Sequence, residues 1–103
     1  MIIYMEIKKT LNNNKLTIKL IGELNSYTAP EMEAVIKNDL NGVNSLIFDF
    51  SELSYLSSAG LRILLVAQKV MQKQGKMTLV HVNESVMEIL EITGFSNVLN
   101  IEA

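Results

Sequence analysis

Two adjacent serines, Ser57 and Ser58, separate an apolar stretch from an apolar helical pattern in YLSSAGLRILL, residues 55–65. A serine at a helix start accepts a hydrogen bond from a free backbone N–H and stabilises the helix by about 1 kcal/mol. One hydroxyl is enough for that role. A hydroxyl there can also carry a phosphate, because the free N–H groups and the helix dipole accommodate a dianion. Ala59 and Gly60 are small, so a kinase or partner helix could approach the backbone closely.

A serine could instead be a nucleophile, which requires a base within hydrogen-bond reach. His81 is the only histidine of the chain, and it falls on a predicted strand, where a half-buried residue without a special role is the favoured interpretation. The chain has no GxSxG elbow, no phosphate-binding glycine loop and no HExxH motif. The sequence therefore predicts a protein that is not an enzyme.

Composition narrows the function classes. The chain has 103 residues, of which 49% are hydrophobic, and its formal net charge is -2. This predicts one domain over residues 1–103, with no charge pattern for nucleic acid or for a membrane surface. The absence of cysteine excludes disulfides and thiolate metal sites, so we expect neither a metal nor a cofactor. The short apolar start is too brief for a signal peptide, and we expect a cytoplasmic protein.

The serines need elements to position them, and the sequence predicts an α/β domain with a mixed sheet. Turn residues, β-branched runs and helical spacing predict strands at residues 2–8, 15–20, 45–50, 77–82 and 98–101. The first two strands are predicted to form a hairpin, and the third strand is predicted to be a central strand covered on both faces. Helices are predicted from a Thr28 capping box to about residue 40, from the serine pair to about residue 74, and from an Asn83 cap to Gly94.

Two charged features have open interpretations. Asp49 stands near the end of the predicted central strand, where ligands gather in parallel sheets, but acceptance of backbone hydrogen bonds from the following loop is the favoured role. A basic stripe of Arg62, Lys69, Lys73 and Lys76 follows the long helix. It is either a solvated surface that complements the helix dipole or a docking surface for an acidic partner.

The chain resembles the STAS domain of bacterial anti-sigma factor antagonists over nearly its whole length. The resemblance is carried by three segments, GELNSYTAPE, LIFDFSELSYLSSAGLRILL and MTLVHVNESVMEILEITGF. That resemblance implies a mixed sheet with helices packed mainly on one face. The family pattern before the long helix is Asp-Ser-Ser/Thr-Gly-Leu-Gly, and its phosphoacceptor is the serine two residues before the glycine. Ser58 takes that position here, with Ser57 as a second candidate.

The resemblance also implies a cycle. The unphosphorylated antagonist binds an anti-sigma factor that is a serine kinase, a sigma factor is released, and phosphorylation breaks the complex. A PP2C-type phosphatase resets the protein, and ATP and magnesium belong to these partners. The expected partner surface comprises Asn25, Ser26, Tyr27, Ser57, Ser58, Ala59, Gly60 and Arg62.

Three residues depart from the family pattern: Ser57 replaces an aspartate, Ala59 replaces the second serine or threonine, and Asn25 replaces an aspartate after GEL. With two carboxylates fewer, we expect less repulsion of a phosphate, together with changed kinase and phosphatase specificity. A phosphorylation-independent accessory subunit of an ABC-type lipid transport system, or part of a signalling scaffold, is the alternative role. The retained Ser58 favours the antagonist.

Overall fold

The computed structural model describes residues 5–102. The strands are β1 (Met5–Asn12), β2 (Lys15–Leu24), β3 (Ser45–Leu56), β4 (Lys76–Val80) and β5 (Ile101–Glu102). The helices are α1 (Ala29–Asp39), α2 (Ser58–Gln72) and α3 (Glu84–Ile92), and a short 3-10 turn covers Phe95–Asn97. The predicted α/β class and mixed sheet are confirmed.

The five strands form one sheet in the order β1-β2-β3-β4-β5. The β1–β2 pair is the predicted antiparallel hairpin, and its turn contains Asn13 at a φ of 57°. All other neighbours are parallel, so helices connect them. Since β2 and β3 run in the same direction, their carboxyl ends reach the same edge of the sheet.

Only one face of the sheet is fully buried. Along β3, Leu46 and Phe48 are buried whereas Ile47 and Asp49 are half-buried, and the same alternation runs along β2. Core side chains of all three helices belong to the same hydrophobic cluster as the buried strand residues. The prediction of a central strand is confirmed, but the prediction that both of its faces are covered is wrong, because the helices pack on one face.

Two irregularities bend β3. Phe50 and Ser51 stand opposite the single residue Leu20, and further along, Ser54 is the extra residue between the pairs of Gly22 and Glu23. Such bulges re-aim the end of a strand. The Ser51 N–H donates to Asp49 Oδ1 at 2.9 Å, and the Ser54 hydroxyl donates to the Gly22 carbonyl at 2.9 Å. Asp49 therefore lies within a strand of twelve residues, where it stabilises a bulge.

Several predicted boundaries shift. Residues 2–4 of the first predicted strand lie outside the described residues, and β1 continues beyond residue 8 to Asn12. His81 is not on a strand: β4 ends at Val80, and His81 is exposed with a φ of 56°. The last strand is only Ile101–Glu102, since residues 98–100 form the turn that leads from the 3-10 turn into it. Lys76 begins β4 and so does not belong to the basic stripe of α2.

The helix ends follow the predicted chemistry except at α1. Asn83 Oδ1 accepts the Val86 N–H at 2.9 Å, which caps α3 as predicted, and Gly94 follows that helix at a φ of 82°. The predicted Thr28 capping box is wrong, because the Thr28 side chain makes no capping hydrogen bond to α1. Its hydroxyl instead donates to the Glu23 carbonyl at 2.8 Å.

The carboxylate of Asp49 makes the stability of the fold depend on pH. Partial burial acts to raise its pKa, but hydrogen bonds from Ser51, together with His81 and Lys19, hold the pKa of Asp49 below its ordinary value of 3.8. A lowered folded-state pKa stabilises the fold above the unfolded pKa, and this contribution is lost as pH falls through the folded pKa. We expect Asp49→Asn to be slightly less stable than the parent at pH 7, and the two urea midpoints to converge as pH falls below 3.8.

Glu88→Gln, which alters an exposed carboxyl on α3, is the control for this series. A constant difference between the Asp49→Asn and parent midpoints at every pH would contradict the role assigned to the charge.

Candidate functional site

The candidate site lies where β2 and β3 end. Leu24 pairs with Leu56 as the last residue of each strand, and the Ser57 N–H donates to the Leu24 carbonyl at 2.9 Å. This bond joins the turn after β2 to the start of α2. The predicted partner surface, drawn from residues 25–27 and 57–62, is thereby brought together at one edge of the sheet.

The two serines occupy different positions at the start of α2. Ser57 is the N-cap, with extended backbone and a half-buried side chain, and its Oγ accepts the Gly60 N–H at 3.3 Å. Ser58 is the first helical residue and is exposed. Within residues 5–102, the Ser58 hydroxyl has no hydrogen-bond partner. One hydroxyl is therefore used by the fold, and the other faces solvent.

Gly60 sets how closely α2 approaches the strand ends. A Cβ on this residue would lie 2.7 Å from Leu56 Cδ1 and 2.9 Å from both Cγ and the carbonyl oxygen of Leu24. Real Cβ atoms do not tolerate such contacts without a shift of their neighbours. The absence of a side chain at Gly60 thus lets the first turn of α2 rest directly on the ends of β2 and β3.

The turn after β2 is organised by Asn25. Its Oδ1 accepts the N–H groups of Tyr27 at 2.9 Å and Thr28 at 3.1 Å, and its Nδ2 donates to Glu23 Oε1 at 3.1 Å. The Thr28 hydroxyl closes the turn by accepting the Asn25 N–H at 2.8 Å. Asn25 therefore orders the turn that leads into α1 and does not cap the helix itself, since a short polar side chain can bond backbone groups two and three residues ahead.

The surface itself is a groove of about 320 Å³ between the first turns of α1 and α2. Three of the predicted surface residues, Ser26, Ala59 and Arg62, line it, and Glu33 stands on its α1 side. Tyr27 is 77% exposed and Tyr55 is 46% exposed, so two aromatic rings add apolar area to the same edge. Aromatic side chains of this kind often dominate the energetics of protein interfaces.

The structure separates the predicted residues into surface and support. Asn25 and Gly60 are buried, so they hold the surface in place from beneath instead of contacting a partner directly. Sequence reasoning missed Tyr55, whose exposure at the end of a strand follows from the bulges of β3. It also missed Glu33, which reaches the groove through helix packing, and Glu23, whose carboxylate binds the Asn25 amide.

The hydrolase alternative would require Ser58 as the nucleophile and His81 as the base. Within the described part of the chain, His81 makes no hydrogen bond to Ser58, and no group of three metal-ligating side chains occurs. The nucleophile and base of the hydrolase alternative are therefore not paired.

Comparison with known proteins decides the family. The family model described as STAS domain matches residues 4–103. This chain belongs to the STAS domain family. It is 37% identical over 84 residues to a putative anti-sigma factor antagonist, BtrV, of Bordetella bronchiseptica. That alignment covers 80% of this chain and 72% of BtrV. The chain is 32% identical over 102 residues to the anti-sigma-B factor antagonist of Listeria monocytogenes, in an alignment that covers 97% of this chain and 89% of that protein.

Solved structures share the fold of this STAS domain. An anti-sigma factor antagonist from Mycobacterium paratuberculosis aligns with a TM-score of 0.86 at 20% identity, covering 95% of this chain and 85% of that one. The Bacillus cell fate determinant SpoIIAA in its phosphorylated form aligns with a TM-score of 0.72 at 17% identity, covering 97% and 92%. The expected fold, with five strands and three helices, is thus confirmed. Over residues 5–102, no helix has the length and apolar character needed to span a bilayer.

The amide of Asn25 distinguishes this STAS domain from the aspartate pattern of its family. With Asn25→Asp, the hydrogen bond to the Glu23 carboxylate would be replaced by repulsion between two acids, while both backbone bonds to the side-chain oxygen remain possible. We expect Asn25→Asp to lower the free energy of unfolding at pH 7 by about 1 kcal/mol, measured by urea denaturation. Adding Glu23→Gln should restore most of the lost free energy of unfolding. A double variant that is no more stable than Asn25→Asp alone would contradict the pairing of Glu23 with Asn25.

The packing of Gly60 makes an unusual prediction for a helical glycine. Gly→Ala in a helix ordinarily stabilises by about 1 kcal/mol. Here the new methyl would overlap Leu24 and Leu56, and such overpacking costs about 1–3 kcal/mol. We therefore expect Gly60→Ala to lower the midpoint of urea unfolding. A variant as stable as the parent would show that the start of α2 can move away from the strand ends.

Proposed function

We propose that this STAS domain is an anti-sigma factor antagonist whose binding is switched off by phosphorylation of Ser58. The observation that carries the proposal is the division between the two hydroxyls. Ser57 caps α2, whereas Ser58 is exposed and its hydroxyl makes no hydrogen bond within residues 5–102. A kinase can therefore modify Ser58 without removing a contact on which the fold depends.

The electrostatics at the start of α2 favour a phosphate. Glu31 lies in the first turn of α1 and Glu84 in the first turn of α3, but the first turn of α2 has no acidic residue. A negative charge is stabilising there, because the free N–H groups carry the positive end of the helix dipole. Arg62 is exposed four residues after Ser58, the spacing at which helical side chains are neighbours. We infer that phosphoserine is held between the helix terminus and this guanidinium.

The same charge would disrupt binding to a partner. Ser58 adjoins the groove between α1 and α2 through its chain neighbour Ala59, and the groove is lined by apolar side chains such as Ala59 and Pro30 together with the charged Glu33 and Arg62. A partner that covers Ser58 would also have to bury the phosphate together with its Arg62 partner, and taking such a charge pair out of water is unfavourable even when the two charges remain paired. Phosphorylation would thus act at the surface while the fold underneath stays the same.

In this proposal the unphosphorylated protein binds an anti-sigma factor that is also a serine kinase, and the sigma factor is released. The kinase transfers phosphate from ATP to Ser58 Oγ, and the complex dissociates. A PP2C-type phosphatase hydrolyses the phosphoserine and restores the binding form. The antagonist is a cytoplasmic substrate and binder in this cycle, with no catalytic activity of its own. Ser57 replaces the usual aspartate, so the enzymes that act on Ser58 would have to accept a less acidic site.

The two serines provide matched variants for the test. With the cognate anti-sigma kinase and ATP, we expect one phosphate by intact mass, located on Ser58 by peptide mapping. Ser58→Ala should bind the kinase with or without ATP, and Ser58→Asp should bind at least about tenfold more weakly by titration calorimetry. Equal affinities for the parent and both Ser58 variants would favour the phosphorylation-independent accessory role.

Ser57→Ala is the control, because it removes the cap but leaves the acceptor. We expect it to lower the free energy of unfolding by about 1 kcal/mol and still be phosphorylated on Ser58. Ser58→Ala should change stability by less than about 0.5 kcal/mol, as is usual for exposed positions. Phosphate mapped to Ser57 in the parent would overturn the assignment.

A further inference from the structure

A second groove lies between the later turns of α1 and α2. It has a volume of about 370 Å³, and its apolar lining consists of Ile36, Leu40, Val66 and Val70, with Glu33 and Lys37 on the α1 side. We call it the α1–α2 groove. Val66 is 36% exposed, which is high for an apolar residue between two packed helices.

The α1–α2 groove is separate from the phosphorylation site. Val70 comes twelve residues after Ser58 on the same helix, which is about 18 Å along the axis. The field of an exposed phosphate is screened within about 8 Å at physiological ionic strength. Glu33 lines both grooves, so the α1–α2 groove continues the same strip of surface away from the switch.

Three lysines lie in or near the α1–α2 groove, only one of them in its lining. Lys37 lines it, and Lys69 and Lys73 follow Val66 at helical spacings of three and seven, which places them on the same side of α2. All three lysines are exposed, and within residues 5–102 none of them forms an ion pair. Glu33 is the one acid in the lining of the groove, at the end nearer Ser58.

We propose that the α1–α2 groove binds an acidic amphipathic helix of a protein partner. Its apolar floor would receive the apolar stripe of such a helix, and the lysines would pair with its acids. On the α1 side the lining runs from Glu33 to Leu40, about 10 Å along the helix axis, which matches two turns of a docked helix. A second copy of this chain is a poor occupant, because a twofold contact would bring the same lysines toward each other.

This docking is independent of the switch. A partner held in the α1–α2 groove would stay bound whether or not Ser58 carries phosphate, so the domain could remain attached to a complex throughout its cycle. The inference does not rest on the proposed function, and each can fail without the other.

Lysines in the last turn of a helix also complement its dipole, so the test must separate docking from stability. The probes are two fluorescein-labelled 14-residue helical peptides with leucines at positions i, i+3, i+4 and i+7. One has glutamates at its other positions, and the matched peptide has lysines. Binding to the full chain is measured by fluorescence anisotropy, and the binding surface is mapped by methyl NMR.

We expect the acidic peptide to bind, to shift the methyl signals of Ile36, Leu40, Val66 and Val70, and to bind Ser58→Asp with the same affinity within about twofold. Lys37→Glu combined with Lys73→Glu should weaken it at least about tenfold and create binding of the basic peptide. A loss of helix stability would not produce that exchange of preference. Lys15→Glu combined with Lys76→Glu, which changes net charge equally on the sheet, should weaken binding by less than about twofold.

Three results would overturn the proposal: no binding of the acidic peptide, equal binding of both peptides by the parent, or methyl shifts confined to other residues. Self-association of the chain through the α1–α2 groove at the concentrations used, seen by analytical ultracentrifugation, would also overturn it by identifying a different occupant.

Discussion

The segments that follow two parallel strands can contact each other only if the strands end side by side. In this STAS domain, one backbone hydrogen bond joins the two strand ends. The Ser57 N–H reaches the Leu24 carbonyl at 2.9 Å, just beyond the last pair of β2 and β3. The bulges of β3 redirect its final residues, and Gly60 allows α2 to start against both strand ends. This bond therefore connects the residue before the Asn25 turn directly to the first of the two serines.

Above that bond, the site is built in two layers with different tasks. The lower layer consists of buried and half-buried polar groups that bond one another inside the protein, as in the Glu23–Asn25–Thr28 network. The upper layer consists of exposed groups with little role in packing, among them Ser58, Arg62 and Tyr27. Because a buried network is satisfied internally, a partner or a phosphate can act on the upper layer with little effect on the lower one.

Much of this organisation was readable from the sequence, and the failures have physical causes. The hairpin, the α2 cap and the Asn83 cap depend on local chemistry, so residue type and spacing predicted them. The prediction at Thr28 failed because its hydroxyl bonds the Asn25 N–H and the Glu23 carbonyl, both of which lie before the helix, and is therefore not available to α1. The apolar run through Phe48 could not reveal that only one face is covered, since that depends on where the helices pack. The α1–α2 groove depends on contact between distant segments, which no local pattern contains.

The exposed position of Ser58 has a consequence for how such a protein can evolve. A residue that serves both folding and signalling can change only if both tasks tolerate the change, and most substitutions there would be eliminated. At the start of α2 the two tasks belong to neighbouring residues, because the Ser57 side chain caps the helix whereas the exposed Ser58 hydroxyl makes no hydrogen bond within residues 5–102. A lineage could therefore lose the phosphorylatable hydroxyl, replace it by a permanent charge, or regain it, by single substitutions that leave the fold intact.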